Sequence, residues 1–348
     1  MANLQNATPF AACALPSSDR EGRDLLLIVA AAHFVLPEPG DRGTRLHLAA
    51  EQDLPPMAEE HAGDPGVSTI RRDGQSCYTR PATDISIWGD ACGRDGKPVR
   101  EMTVSVRVGP CSVDLSVCGD RFWQPAPVVG AKPSEPAPFL RMPLVWERAY
   151  GGVASGSTEE QPAFEPRNPI GCGLETDAND AIGKPVPNIE HPRQRLNRLS
   201  DRPRPMGLTP IARQWQPRLG YAGTYDEDWR RARAPLWPVD FDERFFCSAP
   251  EYLQASPHLT GGEAVVLQGM HPDGVIAFRL PVLRLAARNR FTDRTLRTLL
   301  TLDGVVIETD VKRLTLYYRS AVPADRGLVR HRETLLRLLA PWEDVKAS

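Results

Sequence analysis

Apolar and polar residues alternate most regularly in the stretch on either side of Gly109-Pro110. Apolar side chains recur at every second position over residues 102–108 and again over residues 113–117. A period of two places alternate side chains on opposite faces of a strand, and a glycine–proline pair marks a turn. The pattern predicts an antiparallel hairpin with one buried face.

Other segments carry related patterns. Residues 25–36 form an apolar run that ends at Pro37, which predicts an early strand, and the alternating residues 44–49 could pair with it. The turn signal His271–Gly274 separates two further alternating segments. The strands predicted towards the C-terminus cover residues 263–267, 275–280, 305–307 and 314–318.

Two segments have helical patterns. Four leucines of Leu328–Leu339 share one helix face, which predicts a terminal helix. A short helix is predicted over Asp226–Arg233, with Thr224 as its cap and Glu227 at the capping-box position. We therefore expect a mainly β protein, with antiparallel sheets in a sandwich-like scaffold and few short helices.

Proline changes this picture in the middle of the chain. Of the 34 prolines, 20 fall within residues 125–257, where they disfavour regular helices and sheets. The same stretch is rich in tryptophan and phenylalanine, unlike a disordered linker. We expect an N-terminal β-rich part (1–123), an ordered irregular middle segment (124–257) packed on the scaffold, and a C-terminal β-rich part with the terminal helix (258–348). Whether the two β-rich parts form one domain or two stays open.

Composition narrows the class of function. The formal charge of −2 (42 basic against 44 acidic residues) gives no basic excess for nucleic-acid binding. The apolar run 25–36 is too short to span a bilayer, which needs about 20 residues as a helix, so no membrane insertion is expected. Residues 1–9 lack the charge and apolar core of a secretory signal. Seven irregularly spaced cysteines are typical of reduced thiols, which predicts a cytoplasmic location.

Catalytic motifs are scarce. No phosphate loop, nucleophile elbow or H-E-x-x-H pair occurs. Asp240 and Asp242 alternate around Phe241, as they would on one strand face, and Asp226 precedes Glu227. Paired carboxylates could serve a hydrolase, which is the alternative hypothesis. The same residues could cap turns or pair with arginines, and we expect no enzyme activity, metal or cofactor.

The middle segment and its borders are dense in residue types that anchor protein interfaces. Tryptophan, tyrosine and arginine combine large contact area with directed hydrogen bonds. Each candidate could either contact a partner or hold the loops that do. The candidates are Trp123, Trp146, Arg148, Tyr150, Asn168, Trp215, Arg218, Tyr225, Asp226, Trp229, Asp240 and Asp242.

Seven short motifs in order resemble one family over about residues 3–322. They are R-P-A-T-D (80–84), G-D-R-F-W (119–123), W-E-R-A-Y-G-G (146–152), N-P-I-G-C-G (168–173), P-N-I-E (187–190), G-T-Y-D-E-D-W (223–229) and D-F-D-E-R-F-F (240–246). The chain resembles the domain-of-unknown-function family of type VI secretion accessory proteins. It departs from that family at Arg80, where lysine is usual, and at Leu174, where we expect an aromatic residue.

The resemblance implies a bacterial cytoplasmic chaperone or adaptor. Such a protein would bind a type VI effector, often through its PAAR-containing region, and help to load it onto the spike protein. The expected partners are the effector, the PAAR-repeat tip, the spike protein and a possible co-chaperone. A structural component of the secretion apparatus is a further alternative. The resemblance implies no catalytic residues.

Overall fold

The computed structural model describes residues 3–41, 45–324, 327–340 and 342–343, and these residues are mainly β. The strands are β1 (Leu4–Ala7), β2 (Ala11–Ser18), β3 (Asp24–Val35), β4 (His47–Leu48), β5 (Glu60–His61), β6 (Ile70–Arg72), β7 (Thr83–Trp88), β8 (Asp90–Cys92), β9 (Glu101–Val108), β10 (Cys111–Cys118), β11 (Arg121–Ala126), β12 (Gly130–Pro133), β13 (Arg141–Pro143), β14 (Tyr150–Gly151), β15 (Cys172–Gly173), β16 (Pro185–Val186), β17 (Ile189–Glu190), β18 (Gln254–Ala255), β19 (Ala264–Gln268), β20 (Ile276–Arg279), β21 (Leu285–Phe291), β22 (Thr295–Leu299), β23 (Thr301–Glu308), β24 (Arg313–Pro323) and β25 (His331–Leu338). The α-helices are α1 (Ala178–Ala181) and α2 (Glu227–Ala232). Short 3-10 helices cover Arg94–Gly96, Trp146–Arg148, Arg218–Tyr221, Glu243–Phe246, Glu251–Leu253 and Gly327–Arg330.

A seven-stranded sheet joins the two ends of the chain. Its order is β18-β7-β23-β24-β3-β2, with β4 paired to β3. β3 is antiparallel to β24 along its length, and β7 is parallel to β23. Strands from the N-terminal and C-terminal β-rich parts therefore share one sheet.

The remaining sheets are smaller. A five-stranded sheet has the order β17-β10-β9-β19-β20, a four-stranded sheet has the order β1-β25-β21-β22, and a three-stranded sheet has the order β12-β11-β16. The other pairs are β13-β8, β14-β15 and β5-β6. Buried side chains of the seven-stranded and five-stranded sheets, such as Ile85 and Val106, belong to one apolar core.

The apolar patterns predicted eight of these strands, which are β3, β4, β9, β10, β19, β20, β23 and β24. β9 and β10 form the expected hairpin, with Val108 paired to Cys111 across Gly109-Pro110. The early strand is β3, and the segments on either side of His271–Gly274 are β19 and β20. β4 is shorter than residues 44–49 but pairs with β3 as predicted, and Thr44 lies outside the described residues.

The predicted terminal helix over Leu328–Leu339 is wrong. A 3-10 turn is followed by β25, which lies between β1 and β21 and pairs with both. Thr334 and Leu336 point into the core, while Glu333 and Arg337 lie on the opposite face. In the sheet, β25 forms backbone hydrogen bonds with a strand on each side. This tertiary pairing stabilises the strand more than the helical spacing of the leucines would stabilise a helix.

Two buried arginines attach the middle segment to the sheets, and a third extends their hydrogen-bond network. Arg80 lies just before β7, and its side chain is only 2% exposed. Its guanidinium donates to the Asp73 carboxylate (3.0 Å), to Gln75 Oε1 (2.7 Å) and to the Phe246 carbonyl (3.0 Å). A guanidinium carries five N–H donors in a rigid fork, so one side chain can hold several partners at once.

Arg218 reaches the same carboxylate from the middle segment. Its Nη2 lies 3.3 Å from Asp73 Oδ2, and it donates to the carbonyls of Ile211 and Phe245, both at 2.8 Å. Asp73 therefore lies between two guanidiniums from distant parts of the chain, and neither positive charge is buried alone.

Arg319 on β24 completes the cluster. It pairs with Asp303 and donates to the carbonyl (2.8 Å) and to Oε1 (2.9 Å) of Gln75. Asp303 lies where the register of β23 against β24 shifts, and such a bulge re-aims a side chain. We call the following set the buried arginine network: Asp73, Gln75, Arg80, Arg218, Asp303 and Arg319.

The pKa values of two buried aspartates near Arg80 are shifted in opposite directions. Burial alone would raise the pKa of the Asp73 carboxyl, but the charges of Arg218 and Arg80 outweigh burial and hold the pKa below its ordinary value. Asp84 accepts hydrogen bonds from the Ser248 backbone (2.5 Å) and hydroxyl (3.1 Å), yet its Oδ1 has no hydrogen-bond partner in the described part of the chain. Burial raises the pKa of Asp84.

We expect Arg80→Met to lower the free energy of unfolding by about 3–5 kcal/mol, because it leaves a buried carboxylate with one cation instead of two. Urea unfolding followed by tryptophan fluorescence measures the loss. Arg230→Met is the matched control, since Arg230 is 71% exposed and, among the described residues, forms its ion pair with Glu227 on α2. It should change stability by less than about 0.5 kcal/mol. Equal losses for the two variants would contradict this role of Arg80.

At about pH 7, Asp73→Asn should destabilise more than Asp84→Asn. The lowered native pKa of Asp73 contributes stability above its ordinary value of 3.8, and this stability is lost as the pH falls through the native pKa. The raised native pKa of Asp84 has the opposite sign, so its ionisation opposes folding. The loss in free energy of unfolding that Asp73→Asn causes relative to the wild type should therefore become smaller below about pH 4. Urea unfolding of both variants at the two pH values tests the order, and a reversed order would refute it.

Candidate functional site

The structure divides the twelve sequence candidates into buried and accessible groups. Six are buried: Trp123, Trp146, Tyr150, Asn168, Trp215 and Arg218. The others are partly or fully accessible: Arg148, Tyr225, Asp226, Trp229, Asp240 and Asp242.

Trp146 fixes the loop that leads to Arg218. Its indole Nε1 donates to the carbonyls of Thr209 (3.2 Å) and Pro210 (3.1 Å). Its ring meets Trp215 edge-to-face with centroids 6.1 Å apart. A Cβ at Gly207 would lie 2.7 Å from the Trp146 ring, so only glycine allows this approach.

Asn168 holds two motifs together. Its Nδ2 donates to the carbonyls of Trp146 (2.9 Å) and Tyr150 (3.0 Å). β14 and β15 then pair in parallel beside it. A Cβ at Gly151 would lie 2.1 Å from the Asn168 carbonyl, which explains the glycine in that motif. The buried Asn168 side chain thus holds the backbone of the neighbouring motif in place and does not lie on the surface.

Four motifs that are distant in sequence meet at one cleft of about 360 Å³. They are the motifs at 119–123, 146–152, 168–173 and 187–190. We call this the motif cleft, and it is lined by Asp120, Arg121, Phe122, Glu147, Arg148, Cys172, Pro185, Val186 and Asn188.

Arg148 links the walls of the motif cleft. Its Nη1 donates to Asp120 Oδ1 and to Asn188 Oδ1, both at 3.0 Å. Asn188 in turn donates to Asp120 Oδ1 at 3.1 Å. The Arg148 side chain is 36% exposed, so part of the guanidinium stays available to a ligand. Arginine in such a position suits carboxylates and carbonyls of a partner.

Below the motif cleft, Arg121 and Glu190 form a buried pair at 2.8 Å. Burial raises the pKa of Glu190 even though Arg121 lies beside it. Burial also raises the pKa of the Cys172 thiol to about 12, so this thiol stays protonated near neutral pH. A protonated thiol is a poor nucleophile, so burial disfavours nucleophilic chemistry at Cys172 itself.

An apolar hairpin borders the motif cleft. Phe122 on β11 is 48% exposed, and Val128 and Val129 lie at the tip between β11 and β12. Val128 is fully exposed and has φ of 71°. The amide of Val129 donates to the Pro127 carbonyl at 2.8 Å, which closes a γ-turn around Val128. A β-branched residue is strained in this region, and strained residues cluster at functional sites.

Val128→Gly should raise the free energy of unfolding by about 1 kcal/mol, because glycine adopts positive φ without a Cβ clash. Thermal and urea unfolding measure the gain. Val239→Gly is a control, since Val239 is also exposed but is not among the residues with positive φ. If Val128→Gly lowered the free energy of unfolding as much as Val239→Gly does, Val128 would not be strained.

The accessible candidates around α2 have local roles. Asp226 caps α2 by accepting from the Trp229 amide at 2.8 Å, so the predicted cap at Thr224 is wrong. The Thr224 hydroxyl instead donates to Asp240 at 2.8 Å. Tyr225 is 51% exposed and meets Trp229 edge-to-face at 4.6 Å. Tyr225 is the more accessible of these two aromatic side chains.

Asp240 and Asp242 do not lie on a strand, contrary to the sequence prediction. Asp240 lies in a turn, and hydrogen bonds from Thr224 lower its pKa. Asp242 caps the 3-10 helix Glu243–Phe246 and pairs with Arg244 at 2.8 Å, which lowers its pKa. The ring of Phe241 is buried in a cluster of aromatic side chains. The spacing of Asp240 and Asp242 on either side of it therefore comes from a turn followed by a helix cap, not from a strand.

Another cavity, of about 660 Å³, lies over the buried arginine network. Its charged groups are paired within the chain, as in Tyr78 with Glu243 (2.7 Å) and Arg319 with Asp303. In the described parts of the chain, no group of three or more histidine, cysteine, aspartate and glutamate side chains could hold a metal ion. No helix among the same residues is long and apolar enough to cross a membrane.

The sequence motifs pointed to this region, but several of its residues were not singled out. Asp120, Phe122 and Asn188 lie within quoted motifs, so the motif order was the available signal. Val128 lies outside every motif, and a valine gives no sign of positive φ.

The fold and the motif cleft define a β-rich protein with an ordered, irregular surface segment. A family model described as "Uncharacterized protein conserved in bacteria (DUF2169)" matches residues 21–319. The chain belongs to this bacterial family, and the match includes all seven motifs. No curated protein and no solved structure matches the chain.

Proposed function

We propose that this protein is a cytoplasmic chaperone or adaptor that binds a type VI secretion effector, through its PAAR-containing region, and helps to load it onto the spike protein. The supporting observation is the motif cleft, where four of the motifs behind the family resemblance meet. An open cleft built from motif residues is the expected place for the family's shared partner to bind.

The chemistry around the motif cleft suits a protein partner. Arg148 offers a partly exposed side chain, and Phe122 offers an exposed aromatic ring. Arginine and aromatic side chains dominate the binding energy of many interfaces. The loops behind them are fixed by Trp146 and Asn168, so little ordering entropy is lost on binding.

The carboxylates that motivated the hydrolase alternative have other partners. Asp226 caps α2, Glu227 pairs with Arg230 at 2.6 Å, and Asp242 pairs with Arg244. A general acid usually needs a raised pKa, whereas the pKa of Asp240 and that of Asp242 are both lowered. This favours binding over hydrolysis. The structural-component alternative differs in that the protein itself would be secreted.

Co-expression with each neighbouring effector, PAAR-tip or spike gene product, followed by affinity capture, tests the proposal. We expect one of them to co-purify stoichiometrically with the wild-type chain. Phe122→Asp should weaken this complex by at least about tenfold, because a charge replaces an apolar contact at the rim of the motif cleft. Calorimetric titration of the purified components measures the change.

Val311→Asp is the matched control, since Val311 is 52% exposed on the turn between β23 and β24. It should leave the affinity unchanged. Absence of any stable complex, together with normal solubility and loading of the effector when this protein is missing, would contradict the proposal. Equal affinity of the two variants would remove the motif cleft as the binding site.

A further inference from the structure

The four-stranded sheet exposes a row of arginines far from the motif cleft in sequence. Arg288 and Arg290 on β21, Arg297 on β22 and Arg337 on β25 point to the same open face. The side chains of Arg288, Arg290 and Arg337 are 48%, 57% and 50% exposed. This concentration of positive charge is local, because the whole chain carries a net charge of −2.

Carboxylates of the described residues balance these arginines only in part, with Arg337 paired to Glu343 at 2.9 Å. Arg288 lies directly opposite Arg297 in the β21–β22 ladder, and like charges at such positions destabilise a sheet. Glu333 serves both Arg290 (3.2 Å) and Arg288 (3.9 Å). Among the described residues, Arg297 has neither an ion pair nor a side-chain hydrogen bond. The face thus has room for carboxylates from outside.

β22 also presents an open backbone edge beside these arginines. It is the last strand of its sheet. The Leu300 amide donates to the Leu285 carbonyl at 2.9 Å, and this bond sets the alternation along β22. The backbone groups of Arg297 and Leu299 therefore face away from β21, and no described residue pairs with them. An open edge of this kind accepts an added strand.

We propose that β22 and the adjacent arginine face bind an extended acidic segment of a partner protein. The segment would pair with the outward N–H and C=O groups of Arg297 and Leu299. Its carboxylates would then lie over Arg297 and Arg288, where a guanidinium can hold a carboxylate through two parallel hydrogen bonds. Apolar side chains that alternate with these carboxylates would lie on the opposite face of the added strand, on the side of Leu296.

The chemistry favours a peptide over a nucleic acid. Single-stranded nucleic acids bind where aromatic rings stack on bases, and the described residues of this face carry leucines such as Leu335 instead. The backbone edge adds a recognition element that only another polypeptide strand can match. This site is separate from the motif cleft and its test uses no effector, so the two proposals succeed or fail separately.

The test uses the full-length protein and a fluorescein-labelled peptide in which glutamate alternates with valine. Fluorescence anisotropy should show saturable binding that weakens with added salt. Arg297→Glu should reduce the affinity by at least about tenfold, because it repels the peptide. The same substitution should raise stability to urea, since it replaces the Arg288–Arg297 repulsion with an opposite-charge cross-strand pair. Arg230→Glu, on exposed α2, is the control and should bind the peptide as the wild type does.

Three outcomes would overturn the proposal. The first is equal affinity of the wild type and Arg297→Glu for the acidic peptide. The second is binding of a matched lysine–valine peptide as tight as that of the acidic peptide. The third is displacement of the acidic peptide by a single-stranded DNA oligonucleotide at lower concentration than by unlabelled peptide, which would indicate a nucleic-acid site. Raised stability of Arg297→Glu shows that the variant is folded, so its loss of binding is a local effect.

Discussion

The buried arginine network fixes the irregular middle segment on the sheets, and the shape of the motif cleft depends on it. Asp73 lies between Arg80 and Arg218, and Gln75 Oε1 accepts from both Arg80 and Arg319. Because buried charges are stable only when paired and hydrogen-bonded, Arg218 is stable in its buried position only while the middle segment lies against Asp73. The network therefore joins the loop before β7, the β23–β24 ladder and the irregular middle segment into one body.

A chain of contacts leads from this network to the motif cleft. Arg218 holds the Ile211 carbonyl, and the loop between them carries Trp215, which packs edge-to-face against Trp146. Trp146 begins the 3-10 turn that ends at Arg148 in the motif cleft. A segment with little regular secondary structure is thereby fixed by side-chain hydrogen bonds to backbone carbonyls. Such fixation gives a proline-rich surface a single shape without long strands or helices.

The sequence predicted the strands whose stability is local and missed features that depend on tertiary contacts. The β9–β10 hairpin was predictable because alternation and the Gly109-Pro110 turn act over neighbouring residues. β25 was mistaken for a helix because its partners, β1 and β21, are remote in sequence. Arg80 and Arg218 gave no sign of burial, since arginine is usually exposed and only the fold brings Asp73 between them. The motifs identified the segments of the motif cleft, but not their meeting in space.

The most direct test of this account is hydrogen–deuterium exchange by mass spectrometry on the wild type and Arg80→Met under native conditions. The account predicts that residues 205–248 lose protection in the variant, together with the 146–152 motif, while β3 and β24 keep theirs. This pattern would show that the network anchors the middle segment onto an independently stable sheet. Unchanged protection in residues 205–248, or a uniform loss across the whole chain, would contradict the claim.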